Sequence, residues 1–455
     1  MLRHRAFSTG RFDLGNMVQA VWSTTEGRPL EVTGARGEQF VRLGAHVDPL
    51  LVLFAPLWAL WPEPSLLLVV QASALALGAV AVYLLAMRHL RSEAAALAFA
   101  LAYLLSPALG WMALADLHAV AFATPLLAFA FWALDDDRLL VFAVLAALAA
   151  ASKEHVALAI AGLGLWYALA RGRTLAGAAI AAVSLAWTAV AVGVVAPHFS
   201  PTGSLRHEPR YAEVGGSPVG IVKTALTEPW RVAAEAFDER GLEYLLALLV
   251  PLAALPLLAP LLTLAAVPEV GLNLLSARET QTSIRYHYEA VSLGVLFPAA
   301  VLGTARLARG RPAIAVRAGV VVLVLSLGSA YRLGPLPVWR ALPGGDGLRL
   351  SAIRPDSHDA VVRRALAQVP EGVPASAVNS VGAHLSARRR IHVFPTVAEA
   401  RWVVVDRKEP GWMERPDRVR LRIALAALRE SPPWRIVFAE DGVVVFRREA
   451  ASATR

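Results

Sequence analysis

Six short polar strings interrupt an otherwise apolar chain: FDLG (12–15), GAHVD (44–48), DLH (116–118), SKEH (152–155), RYAEVGGSP (210–218) and SIRYHYEA (283–290). Asp13 sits between Phe12 and Leu14. A carboxylate so flanked can have a raised pKa and act as a general base, or can ligate a divalent cation through hard oxygen. The competing reading makes Asp13 the N-cap of a helix over 14–22. His46 and Asp48 are two apart in an extended segment and could share one ligand, although Asp48 before Pro49 is also a natural N-cap. Asp116 and His118 repeat the carboxylate–imidazole theme, where the acid can orient the ring for proton transfer or metal binding. A cap plus an interfacial histidine is the structural alternative.

Lys153, Glu154 and His155 fall in a tight turn between two short apolar runs, where charges face a cavity or each other. Internal compensation of Lys153 by Glu154 is the simpler account, but adjacent residues pair poorly on a helix. Arg210 and Tyr211 could hold a phosphate, with Gly215-Gly216 permitting close backbone approach; a plain loop turn competes. Glu269 follows a proline inside an apolar run, and intramembrane carboxylates are costly and usually functional. Arg285, His287 and Glu289 lie among Tyr286 and Tyr288, which an interfacial aromatic belt would explain.

These residues need elements to position them, and the composition says which kind. The 455 residues are 56% hydrophobic and 17% charged, and the mean hydropathy is +0.53. A soluble surface needs more charge, so the fold class is an all-α polytopic membrane helical bundle. Apolar runs at 65–87, 93–112, 118–134, 138–152, 155–170, 174–196, 242–258, 259–275, 289–308 and 312–331 predict about ten spans. A proline-broken run at 49–61 reads as a re-entrant or interfacial helix, and the proline-rich stretch 242–275 as two spans or a broken hairpin. The formal charge of +9 reports loops and lipid headgroups rather than nucleic acid. The absence of cysteine excludes disulfides and thiolate sites.

Arginine-rich short links at 88–91, 171–173 and 306–311 predict the cytoplasmic side. Threading the spans alternately then puts all six polar strings, and everything after 331, on the outer face. Residues 1–48 become the first extracytoplasmic loop, with a preceding span expected to be missing from a late start, or else a genuine N-out arrangement. Residues 49–331 form the transmembrane bundle. From 345 to 450 the pattern changes to a small extracytoplasmic α/β domain. Its helices are expected at 360–370 and 418–430, and its strands at 375–380, 390–394, 401–406, 434–440 and 442–448. Asp441-Gly442 is expected to turn the last hairpin. No GxGxxG or Walker loop marks that domain for nucleotides.

The strings RFDLGNMVQAVW, LGAHVDPLLVLFAPLWALWPEP, DLHAVAFATPLL, KEH, RYAEVGGSP and SIRYHYEA, with AHLSARRRIHVFP (383–395), resemble an uncharacterised family of bacterial multi-pass membrane proteins, the domain of unknown function 2079. That family in turn resembles the glycosyltransferase C superfamily. The resemblance implies a protein of the bacterial plasma membrane that transfers a sugar from a polyprenyl-phosphate carrier to a cell-envelope acceptor. It implies a catalytic acid in the first outer loop, where Asp13 stands, with Asp48 and Asp116 as other candidates. His46, His118, Lys153, Glu154, Arg210, Tyr211, Glu269, Arg285 and His287 would line the substrate site. Membrane lipids are expected partners. No cofactor is required, and a divalent cation is an option. The alternatives are a transporter or flippase for a lipid or small solute, and a non-catalytic envelope scaffold displaying the C-terminal domain.

Overall fold

The computed structural model describes residues 1–203 and 208–449. A short N-terminal segment carries α1 (Asn16–Thr25) and a hairpin of β1 (Glu31–Thr33) with β2 (Gln39–Val41). The apolar helices follow: α2 (Pro64–Leu90), α3 (Glu93–Leu105), α4 (Pro107–Leu114), α5 (Ala123–Asp135), α6 (Leu139–Ala150), α7 (Val156–Ala170) and α8 (Thr174–Phe199). After a stretch with three shorter helices, Pro218–Thr227, Pro229–Ala236 and Glu239–Leu249, come α9 (Val267–Leu274), α10 (Ala290–Ala308) and α11 (Pro312–Leu333). Local sequence sets several of these ends. Proline stands in the first turn of α2, α4 and α11, where its missing N–H costs nothing. Ser92 caps α3 by accepting the Ala95 N–H.

The count of spans differs from the sequence expectation. Among the described residues, α2, α8, α10 and α11 are long and apolar enough to cross a membrane, and α3 with α4, bent by 48°, makes a fifth. A crossing needs about 20 residues at 1.5 Å rise. The runs at 138–152 and 155–170 yield helices of 12 and 15 residues. The bend between α3 and α4 falls at Ser106, before Pro107, a position that disfavours helical backbone. The stretch 242–275 is broken between Pro251 and Pro256, where Ala253 and Ala254 both adopt left-handed backbone (φ +52 and +53). The run at 49–61 is a 3-10 turn followed by a short helix.

The C-terminal region follows its expected pattern closely. It contains α12 (Ser357–Leu366), β3 (Ala375–Ala377), β4 (Ile391–Val393), β5 (Trp402–Asp406), α13 (Arg418–Glu430), β6 (Trp434–Glu440) and β7 (Val443–Arg448). The sheet order is β4-β3-β5-β7-β6, with β3 parallel to both neighbours and β7 antiparallel to β5 and β6. Asp441 and Gly442 make the β6–β7 turn with positive φ at both positions (+46 and +85), matching the twist of the flanking strands.

Among the described residues, three large apolar cores hold these parts, beside a small fourth one of Val47, Ala191 and Ala196. The largest joins the helices of the bundle around Phe99, Phe131 and Phe297. A second packs Leu14, Val18 and Val21 against Leu51, Leu67 and Leu117. The third lies between the C-terminal sheet and its helices and takes in Phe7 from the N-terminal segment. The N-terminal segment is therefore wedged between bundle and C-terminal domain, and it carries Asp13.

Candidate active site

Asp13 stands in a π-turn, Arg11–Gly15, immediately before α1. It does not cap that helix, because Gly15 occupies the N-cap and no side chain bonds there. The turn is held from two directions. Asp116 Oδ2 accepts the Gly10 N–H at 2.7 Å and the Leu14 N–H at 3.4 Å. From the C-terminal domain, Asn379 Oδ1 accepts the Phe12 N–H at 2.8 Å. The buried Arg11 guanidinium donates to Gln19 Oε1 (2.8 Å), to the Thr33 carbonyl (3.1 Å) and to the Ile391 carbonyl (3.3 Å). With the backbone so fixed, the Asp13 carboxylate stays 31% exposed.

Its Oδ1 lies 3.6 Å from His118 Nε2. That is electrostatic contact without a direct hydrogen bond, so the Asp13 oxygens stay available to a hydroxyl. His118 is well oriented for this. Its Nδ1 sits 2.9 Å from the Asp116 carbonyl, and its backbone N–H donates to Gln71 Oε1 at 2.9 Å. Donation from Nδ1 leaves Nε2 facing Asp13. The other face of the ring stacks on His287 at 3.5 Å and 18°. Burial, reinforced by neighbouring His118 and Lys153, pushes His287 well below its ordinary value and keeps it neutral. Burial and the nearby charge of Asp13 raise the Asp116 carboxyl to about 6, against the pull of the Gly10 N–H.

A second group adjoins the first. Glu154 accepts from His46 Nδ1 and from the Val47 N–H, both at 3.0 Å. Burial alone would raise Glu154, but His46 and Lys153 together hold it well below the usual carboxylate range. Asp48 does not cap through its side chain either. Its Oδ2 pairs with Arg42 Nε and a terminal guanidinium nitrogen at 2.8 Å, and Arg42 also donates to Asn16 Oδ1 at 2.6 Å. Burial pushes Asp48 up to about 6 despite that partner. Lys153 has no carboxylate within 4.0 Å among the described residues, while Glu154, Arg210, Glu269 and Asp48 all act on it electrostatically. Burial lowers its pKa. Lys153 and His287 thus bridge the two groups into one cluster.

Other candidates separate by what they touch. Arg210 is half-buried, reaches Gln281 Oε1 at 3.5 Å, and has its pKa lowered by burial. Tyr211 lies beside it, with its pKa raised by burial. Glu269 accepts the Val291 N–H (3.2 Å), the Ser292 N–H (2.6 Å) and the Ser292 hydroxyl (2.7 Å), with His155 Nε2 at 3.4 Å. It caps α10 from a neighbouring helix, an electrostatic role that accounts for an acid in apolar surroundings. Arg285 does not join the cluster as a free cation. It is exposed, pairs with Asp346 at 2.8 Å and lies over Trp111. Sequence reasoning missed Asn379, Arg42 and Gln71, none of which stands in a string that suggests chemistry. Among the described residues, no group of three or more His, Asp or Glu side chains is arranged to hold a metal ion.

The family model for predicted membrane proteins of the domain of unknown function 2079 matches residues 3–445. The chain belongs to this family. No curated protein matches its sequence. Among solved structures, the DUF2079 chain is similar to ArnT from Cupriavidus metallidurans bound to undecaprenyl phosphate. The TM-score is 0.56 at 13% identity, covering 97% of this chain and 94% of that one. The apo state of the same protein gives a TM-score of 0.55 at 13% identity, covering 95% and 93%. The likeness is one of fold: this DUF2079 member shares the ArnT architecture across nearly its whole length.

Proposed function

We propose that this chain transfers a sugar from a polyprenyl-phosphate donor to a cell-envelope acceptor. In this reading the reaction takes place on the outer face of the bacterial plasma membrane, and residues 345–450 form a domain on that side. The observation that carries the proposal is the placement of the partly exposed Asp13 carboxylate against an oriented His118, in one cluster with Lys153, which has no carboxylate within 4.0 Å among the described residues. The likeness to ArnT, crystallised with undecaprenyl phosphate, supports the donor class.

Asp13 takes the proton of the acceptor hydroxyl as its oxygen attacks the anomeric carbon. The bond from that carbon to the phosphate oxygen breaks, and the electron pair leaves with the polyprenyl phosphate. Lys153 and Arg210 meet the charge that develops on the departing phosphate, while His118 and His287 wall the reacting centre. Asp116 and Asn379 hold the turn that presents Asp13, and the Arg42–Asp48 and His46–Glu154 pairs hold the loop opposite Lys153.

The test uses the purified full-length chain with a set of polyprenyl-phosphate sugars carrying labelled sugar and a cell-envelope fraction. Label is expected to move into the acceptor, and Lys153→Met is expected to weaken donor binding and slow transfer at least about tenfold, as loss of a charge-assisted contact would. Donor binding with no transfer to any envelope component would contradict the proposal.

A further inference from the structure

The C-terminal domain contains a cavity of about 560 Å³ lined by Arg407, Lys408, Arg418 and Arg422, with Leu421 and Leu425 at its floor. Its cations come from two elements. Arg407 and Lys408 directly follow β5, and Arg418 and Arg422 lie on α13. The spacing 418, 421, 422, 425 puts both arginines and both leucines on one helical face. Lys408 pairs with Asp441. Among the described residues, Arg407, Arg418 and Arg422 have no carboxylate within 4.0 Å, so three guanidiniums share one concavity without a counter-charge.

The wall that carries Arg407 and Lys408 is fixed in advance. Asp406 Oδ1 accepts the N–H groups of Lys408 (2.9 Å) and Glu409 (3.1 Å). Its Oδ2 lies 2.9 Å from His358 Nε2, and His358 Nδ1 lies 2.8 Å from Asp441 Oδ2. His358 therefore ties the end of β5 to the β6–β7 turn. Within that turn the Gly442 carbonyl accepts the Arg407 N–H at 3.1 Å. Gly442 has φ +85, a backbone conformation that favours glycine, and a side chain there would also press on Lys408 Cγ at 3.0 Å.

Guanidinium groups match phosphate oxygens in a bidentate manner, and a cavity of this size suits a small ligand rather than a single ion. We infer that this cavity binds a phosphate ester with two or more negative charges, its non-phosphate part resting on Leu421 and Leu425. The site uses none of the groups around Asp13, and it stands or falls apart from the sugar-transfer reading.

The probe is inorganic pyrophosphate, titrated calorimetrically into the full-length protein in detergent. Saturable binding is expected, weakened at least tenfold in the Arg418→Gln/Arg422→Gln double variant. Arg420→Gln, on the same helix but outside the cavity, is expected to bind pyrophosphate as the wild type does. Should the double variant fail to fold, Arg407→Gln on the opposite wall carries the same expectation. Native mass spectrometry separates two sources of the phosphate. A phospholipid that co-purifies with the wild type and is lost from the double variant identifies a headgroup. Pyrophosphate binding without any such lipid identifies a free phosphate ester. The absence of saturable binding, or equal affinity in wild type and the cavity variants, would overturn the site.

Discussion

Asp13 owes its availability to what its neighbours do with the backbone around it. Asp116 spends one oxygen on the Gly10 and Leu14 N–H groups, and its carbonyl orients His118, so a single residue serves both the turn and the imidazole. Its carboxyl is raised by burial and by Asp13 to about 6. A folded pKa above the unfolded one means that protonation favours the folded state at low pH, and this contribution is lost as pH rises through about 6. Above that value a second negative charge stands beside the Asp13 carboxylate. The rate of transfer against pH is therefore expected to rise near pH 6 in the wild type. Asp116→Asn, which keeps an oxygen for the Gly10 N–H, is expected to remove that limb. A limb unchanged in the variant would assign the titration elsewhere.

Among the elements, the junction of α1 with the C-terminal domain matters most. Gln19 on α1 donates to the Arg388 and Arg389 carbonyls at 3.0 and 2.9 Å, and Phe12 meets Trp412 edge-on with ring centres 5.7 Å apart. Gly15 is the point of closest approach. A Cβ there would lie 2.5 Å from Ser386 Oγ and 3.1 Å from Ala383 Cα, and the latter is backbone that cannot swing away. Gly15→Ala is expected to cost about 1–3 kcal/mol through overpacking and to loosen the turn that holds Asp13. A lowered thermal midpoint together with reduced transfer would show this; an unchanged midpoint would mean that the junction is softer than the contacts imply. Inside the C-terminal domain, burial lowers the His358 pKa, but Asp406 and Asp441 outweigh it and raise the net value. The resulting stability is fully present below the unfolded value of about 6.5 and is lost as pH rises through the higher folded value. Unfolding of the domain is expected to become easier across that range in the wild type, with the dependence abolished in His358→Gln. A pH dependence that survives the substitution would exclude His358 as its source.

For the whole molecule, the readable and unreadable parts of the sequence divide along physical lines. Alternating apolar residues and the Asp441-Gly442 pair marked the C-terminal strands and their hairpin because those signals are local. The apolar runs marked helices but not their lengths, since hydropathy is blind to the breaks at Ser106-Pro107 and at Ala253-Ala254. Asp13, His46, His118, Lys153, Glu154 and His287 stood out as charges out of place, and the fold gathers them into one cluster. Asn379 could not be found this way, because its bond to Phe12 spans 367 positions and an Asn in a strand-like run carries no signal. Glu269 was conspicuous for the right reason, its burial, yet its visible partners are the first amides of α10. The central claim is that Asp13 is the general base of sugar transfer, and the most direct measurement compares wild type with Asp13→Asn in the purified full-length protein. Donor binding and transfer of labelled sugar to the envelope acceptor are recorded on the same preparation. The account predicts unchanged donor binding with transfer reduced about 10²–10⁴-fold, the usual weight of a positioned base. Wild-type transfer rates in Asp13→Asn would contradict it.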